Sequence, residues 1–244
     1  MFHLLFVSFI KLSASLLGTS CDAVFYDSAL LANPSIMKSE DEKKALAEFS
    51  NIACQTDNPD LLWALAHHES RFQFNIAVVN KMENGRASPM KLKDQKAKTF
   101  LTSLGQSQDK NKNVDVGVLQ INWGAHGKYF NYEATRILSP EDQVKYVVNN
   151  MMGPLTEKCG PKWVACYHSW SNPKLQKKYY ALIQGSLKSM HSFVEDVLRL
   201  RLKQQLDGPS VRIPYALPPS SDGDKNLPSE NQDNEIDNAD SQLI

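Results

Sequence analysis

Glu69 stands near the end of the run Leu61-Leu62-Trp63-Ala64-Leu65-Ala66-His67-His68-Glu69-Ser70. Leu62, Leu65 and Ala66 recur at three- and four-residue steps, so they share one face of a helix. Glu69 lies seven residues after Leu62 and four after Leu65, which places it on that same inward face. A carboxyl group aimed at apolar neighbours resists ionisation, and its pKa rises. A general acid working near neutral pH needs that property. The competing expectation is a glutamate at a helix end that turns out to solvent, so the residues downstream must decide.

Three segments together could act on a glycan. The first is Glu69-Ser70-Arg71-Phe72, with Asn75 beyond it. The second is Asp115-Val116-Gly117-Val118-Leu119-Gln120-Ile121-Asn122-Trp123. The third is Trp163-Val164-Ala165-Cys166-Tyr167-His168-Ser169. Glu69 supplies a proton. Gly117 lacks a side chain, so backbone and sugar can approach closely there. Gln120 and Asn122 offer amide donors and acceptors to hydroxyl and acetamido groups. Tyr167 presents a ring that stacks on a sugar while its hydroxyl bonds a carboxyl group.

In this order the segments resemble the lytic transglycosylases of the lysozyme superfamily. The motifs are Glu69-Ser70 at a helix end, Gly117-Val118-Leu119-Gln120-Ile121-Asn122, and Ala165-Cys166-Tyr167-His168-Ser169. The Gln-Ile-Asn-Trp and Tyr-His-Ser forms are most similar to the branch that accompanies conjugation and type IV secretion. The resemblance spans about residues 45 to 185. It implies an α+β, mainly α, lysozyme-like catalytic domain acting on peptidoglycan glycan strands. It further implies that Glu69 protonates the oxygen joining N-acetylmuramic acid to N-acetylglucosamine, while the substrate's acetamido group assists at the anomeric carbon. Glu69 would then take the proton from the muramic C6 hydroxyl, closing a 1,6-anhydro ring without water. This single-carboxylate scheme departs from the usual pair of glycosidase carboxylates. By the same resemblance Ser70, Gly117, Gln120, Asn122, Tyr167 and His168 would line the substrate site, and Tyr167 would hold Glu69. The scheme needs no cofactor or metal. The implied partners are the glycan strands and an envelope-spanning secretion apparatus, with the protein itself a monomer.

One departure from the family pattern leaves a second chemistry open. Asp115 precedes Gly117 by two residues where many relatives carry a small residue. It is expected to cap a turn, but as a second carboxylate activating water it would make the protein a hydrolytic muramidase. A non-catalytic glycan-binding or assembly protein is the third reading. Other chemistries find little footing. His67-His68-Glu69 lacks the His-Glu-x-x-His spacing, and adjacent helical residues point about 100° apart, which speaks against zinc. No Gly-x-Ser-x-Gly elbow is present for a serine nucleophile. No zinc-finger spacing or aromatic-basic interleaving suggests nucleic acid, and Arg199, Arg201 and Lys203 read as a solvated helix face.

The elements that must position these residues follow from patterning. A helix is expected over about 40–53, with Ala45, Leu46, Phe49 and Ile52 inward. Asn58-Pro59-Asp60 then starts the Glu69 helix, with Pro59 at the first helical position and Asp60 near the positive end. Residues 80–113, with Asn84-Gly85 and Ser88-Pro89, read as a long surface insertion holding one short helix over 95–104. Helical patterning returns over 140–152 and 161–170. A last helix is expected over 175–206, with Gln184-Gly185-Ser186 able to break it in two.

The catalytic domain is therefore expected over 40–206 of the 244 residues, preceded by an extended lead-in over 24–39. Residues 1–23 carry the pattern of a secretory signal peptide, with Cys21-Asp22-Ala23 as a small-residue cleavage site. Lys11 interrupts its apolar run, and a short retained membrane anchor is the alternative. Export to the periplasm or medium is expected. Cleavage after Ala23 would remove Cys21 and leave Cys54, Cys159 and Cys166, permitting one bridge between the Cys54 and Cys159 elements or none. Net charge is zero, yet residues 207–244 hold eight acidic residues against Arg212 and Lys225, so the remainder carries +6. That stretch, rich in Pro, Ser, Asp and Asn, has too few core-forming residues to fold and is expected to be a disordered acidic tail.

Overall fold

The computed structural model describes residues 8–83, 86–107 and 112–207. The expected acidic tail beyond 207, like residues 1–7, lies outside them. Helix α1 (Phe9–Leu17) and helix α2 (Cys21–Ala32) come first, followed by a 3-10 turn over Pro34–Lys38. Helix α3 (Glu40–Gln55) and helix α4 (Pro59–Ser70) follow. Next come β1 (Ile76–Val79), the two-residue strands β2 (Met82–Glu83) and β3 (Arg86–Ala87), and β4 (Met90–Lys93). Helix α5 (Asp94–Gln106), β5 (Val114–Val116) and β6 (Ile121–Asn122) complete the sheet region. The remainder is helical: α6 (Trp123–His126), α7 (Ala134–Ile137), α8 (Pro140–Tyr146), a π turn over Val147–Met151, α9 (Met152–Cys159), α10 (Ala165–His168) and α11 (Pro173–Asp207). The molecule is thus α+β and mainly α, with one four-stranded antiparallel sheet ordered β4-β1-β5-β6.

Helix α4 is the central element. Leu62 through His67 are consecutively buried, so the helix is covered on every side rather than along one stripe. Pro59 occupies the first turn, and Arg71 ends the helix with a left-handed φ of 55°. Trp63 anchors the core among Phe25, Phe49, Phe72 and Phe74, and its indole donates to Ser28 Oγ at 3.0 Å. Along α11 the residues Tyr179, Ile183, Ser186, Met190, Val194 and Val197 form a three–four spaced stripe facing α4 and α2. The helix runs through Gly185 without a break.

Two expectations are corrected. Residues 24–39 are not extended: α2 runs to Ala32 and buries Val24, Phe25, Ser28, Ala29 and Leu30. Burial on a broad arc erases the amphipathic stripe by which a helix is recognised. Residues 80–113 are not merely a surface excursion. They contribute strand β4, which pairs with β1 at Ile76↔Lys93, and α5 buries Ala97, Leu101 and Leu104. Residues 8–23, which carry the signal-peptide pattern, are helical over most of their length. Ile10, Ala14 and Leu17 join the core. The Asp60 carboxylate caps α1, accepting from the backbone N–H of Phe9 at 2.6 Å and of Ile10 at 3.2 Å, and from Ser8 Oγ at 2.6 Å. Cleavage after Ala23 would cut α2 in its first turn.

The four cysteines are paired in this structure. Cys21 is bridged to Cys54, tying α2 to the end of α3, and Cys159 to Cys166, tying α9 to α10. The expected Cys54–Cys159 pairing is replaced by two local bridges, and no described cysteine is free. Among the described residues no helix is long and apolar enough to cross a membrane.

Candidate active site

Glu69 ends α4 beside its buried partner Ser70, half-buried itself. The sheet brings the second segment to it. Strands β5 and β6 pair at Asp115↔Asn122 and Val116↔Ile121, leaving residues 117–120 as the turn between them. Ser70 Oγ donates to the Val118 carbonyl at 2.9 Å and lies 3.2 Å from the Ala66 carbonyl, so it fastens this turn to the end of α4. The third segment closes from the other side, where Tyr167 donates to the Leu119 carbonyl at 2.8 Å. The three segments singled out in the sequence therefore meet around one carboxyl group.

Burial pushes the Glu69 carboxyl up from 4.5 to about 8, with the nearby Asp115 charge adding to the rise. A hydrogen bond from the Tyr179 hydroxyl works against it, because that bond favours the carboxylate. Desolvation outweighs the bond, so the group holds its proton at neutral pH. Tyr179 lies on the inward stripe of α11 and is itself nearly inaccessible, at 3% exposure. His168 stacks on its ring at 5.2 Å and 9°, and Tyr167 lies roughly parallel at 6.4 Å. His68 meets the same ring edge-on at 5.3 Å. Burial and the neighbouring Glu69 raise both tyrosine hydroxyls well above their usual value, so they act as neutral donors.

Several assigned roles change. Tyr179, not Tyr167, holds Glu69; Tyr167 positions the Leu119 carbonyl instead. Ser70 is 6% exposed and its hydroxyl is engaged by protein, which leaves it a structural fastener rather than a free sugar contact. Gly117 is needed for a different approach from the one its lack of a side chain first suggested. Its φ is +73°, and a Cβ there would collide with the Gln143 side-chain amide. Gln143 is fully buried and satisfies three backbone groups of the turn and its surroundings. It accepts from Leu119 N–H at 2.9 Å and donates to the carbonyls of Ile137 at 2.6 Å and Val116 at 3.2 Å.

Gln120 holds a left-handed φ of 48° and donates from its side-chain amide to the Gly117 carbonyl at 2.7 Å. Asn122 caps α6 through its oxygen and donates to Asp115 at 3.0 Å and to Asn113 at 2.7 Å. Asp115 sits on β5 rather than at a turn, and Asn80 donates to its other oxygen at 2.6 Å. Its pKa is raised by burial, against the two amide bonds that favour its charge.

The sequence reading missed Tyr179, Gln143 and Asn80. Tyr179 was readable as a polar-tipped aromatic four residues before Ile183 on the inward stripe of the last helix. Gln143 was readable as a lone amide beside Val144, Tyr146 and Val147. Asn80 carried no local signal, since only strand pairing brings it to Asp115. Among the described residues no three His, Cys, Asp or Glu side chains are grouped to hold a metal ion. No family model, no curated protein and no solved structure matches the chain.

Proposed function

We propose that this protein is a peptidoglycan lytic transglycosylase with a lysozyme-like catalytic domain, and that Glu69 is its acid and then its base. The observation that carries the reading is the convergence of the three segments on a carboxyl group that keeps its proton to about pH 8. Such a group can protonate the glycosidic oxygen between N-acetylmuramic acid and N-acetylglucosamine. Once ionised, it accepts the C6 hydroxyl proton as the 1,6-anhydro ring closes. The Tyr179 hydroxyl stabilises the carboxylate formed between the two steps. Gln120, whose side-chain oxygen faces no protein donor among the described residues, offers an acceptor to the sugar. Export, and local wall opening for a secretion or conjugation apparatus, belong to the same proposal.

One observation favours a second reading. Asp115 is close enough to Glu69 to influence its ionisation, and the side-chain amides of Asn80 and Asn122 donate to its two oxygens. It would then activate water and yield a hydrolase. Mass spectrometry of digested peptidoglycan separates the two: ring-closed anhydro ends support the transglycosylase, and reducing ends support the hydrolase. Glu69→Gln should lower wall lysis by about a thousandfold or more. Clearance of purified walls by the variant at the wild-type rate would remove Glu69 from the chemistry, whereas wall binding without clearance by the wild type would leave a glycan-binding protein.

A further inference from the structure

Behind the α10 segment that presents Tyr167 and His168 to Glu69 lies an open depression of about 650 Å³. Ala165 and Cys166 of the same short helix form part of its wall. Its rim carries three ammonium groups, Lys158, Lys162 and Lys177. Among the described residues none of the three forms an ion pair. Two are held in place by aromatic faces. Lys158 Nζ sits 3.7 Å above the Trp170 ring and Lys162 Nζ 5.5 Å from the centre of the Tyr180 ring. Cation–π contacts of this kind orient a flexible lysine before a ligand arrives, which lowers the entropic cost of binding. The walls are also fixed: the Cys159–Cys166 bridge ties the Lys158 turn to α10, and Gln176 donates to the carbonyls of Ser169 and Trp170.

Three positive charges around a volume of this size fit a short peptide with several carboxylates better than a single small anion. The geometry points to a binding site for the acidic stem peptide of the glycan strand, and this assignment rests on the function proposed above. The two sites share helix α10, whose Ala165 and Cys166 line the depression while its Tyr167 bonds the turn beside Glu69, so a side peptide of a strand held at Glu69 would have the depression as a neighbouring surface. The depression would therefore select strands that still bear their peptides, acting through ground-state affinity rather than through the chemical step.

The test compares two substrates and two proteins. Wall glycan with intact stems and the same glycan stripped by an amidase are digested by the wild type and by Lys158→Ala/Lys162→Ala/Lys177→Ala, with circular dichroism confirming the fold of each. The wild type should show a KM about five- to tenfold lower on stem-bearing strands, and in the triple variant that ratio should collapse towards one while kcat stays the same on both. A ratio unaltered by the substitutions overturns the assignment. In parallel, a synthetic stem tetrapeptide and its fully amidated form are titrated into both proteins, following the Trp170 indole resonance by NMR. Binding of the charged peptide by the wild type alone supports the site even if neither glycan is cleaved, in which case the catalytic reading falls and this one stands. Equal response to the amidated peptide, or to acetate at matched carboxylate concentration, reduces the depression to a nonspecific cationic surface and overturns it.

Discussion

Two tyrosines stand beside Glu69, and only Tyr179 touches its carboxyl group. Their separate roles can be distinguished by pH. Tyr179→Phe removes a bond that favours the carboxylate, so the Glu69 pKa should climb further above about 8. The alkaline limb of kcat/KM should then move to higher pH, with the plateau falling about tenfold as the ionised form loses its donor. Tyr167→Phe should lower the rate while leaving that limb in place, because its hydroxyl bonds the Leu119 carbonyl. A limb that moves only in Tyr167→Phe would reverse the assignment. The raised carboxyl at Glu69 was legible in the sequence because inward helical spacing and apolar neighbours are local properties. Its true partner was not, since Tyr179 lies 110 residues away and nothing local ties it to position 69.

At the scale of elements, the turn over 117–120 depends on a side chain from another helix. Gln143→Leu would strand the Leu119 N–H and the Val116 and Ile137 carbonyls without partners, a loss of about 3 kcal/mol in denaturant unfolding. Gly117→Ala should cost about as much, because it meets both a left-handed φ and the Gln143 amide. Unchanged unfolding midpoints would show that the turn is held by other means. The long helices α3, α4 and α11 were readable from apolar spacing, within a few residues at their ends. Helix α2 was missed over the expected extended lead-in because burial on a broad arc leaves no apolar stripe to recognise. Strands of two to four residues gave too few alternations to be recognised, so the sheet emerged only from the pairing of β1 with β4 and β5.

The whole molecule carries opposing pH sensitivities. The folded pKa of Glu69 is raised from 4.5 to about 8, so the folded state binds the extra proton and stability falls as pH rises across that range. His67 and His126 are held near 4 instead of 6.5 by burial, so their contribution is present above 6.5 and is lost as pH falls towards 4. For His67 the tautomer follows from its partners. Arg71 can only donate, to Nε2 at 2.8 Å, which leaves Nδ1–H for Ser186 Oγ on α11 at 3.2 Å. Two histidines outweigh one carboxyl up to pH 6.5 and only the carboxyl acts beyond it, so thermal melts should peak near pH 6.5, and Glu69→Gln should raise Tm by several degrees at pH 8 and little at pH 5. A Tm profile identical to the wild type would contradict the raised carboxyl pKa. Removing the Cys21–Cys54 bridge, which spans 33 positions, by Cys21→Ala/Cys54→Ala should cost about 3 kcal/mol in denaturant. Helix α11 joins these distant parts. Tyr179 lies near its start, and Arg201 near its far end grips Asp27 of α2 at 2.6 Å and Thr19 at 3.0 Å. The 22 helical steps from Tyr179 to Arg201 span about 33 Å. One continuous strut therefore braces the guanidinium clasp on the amino-terminal helices and the phenol beside Glu69.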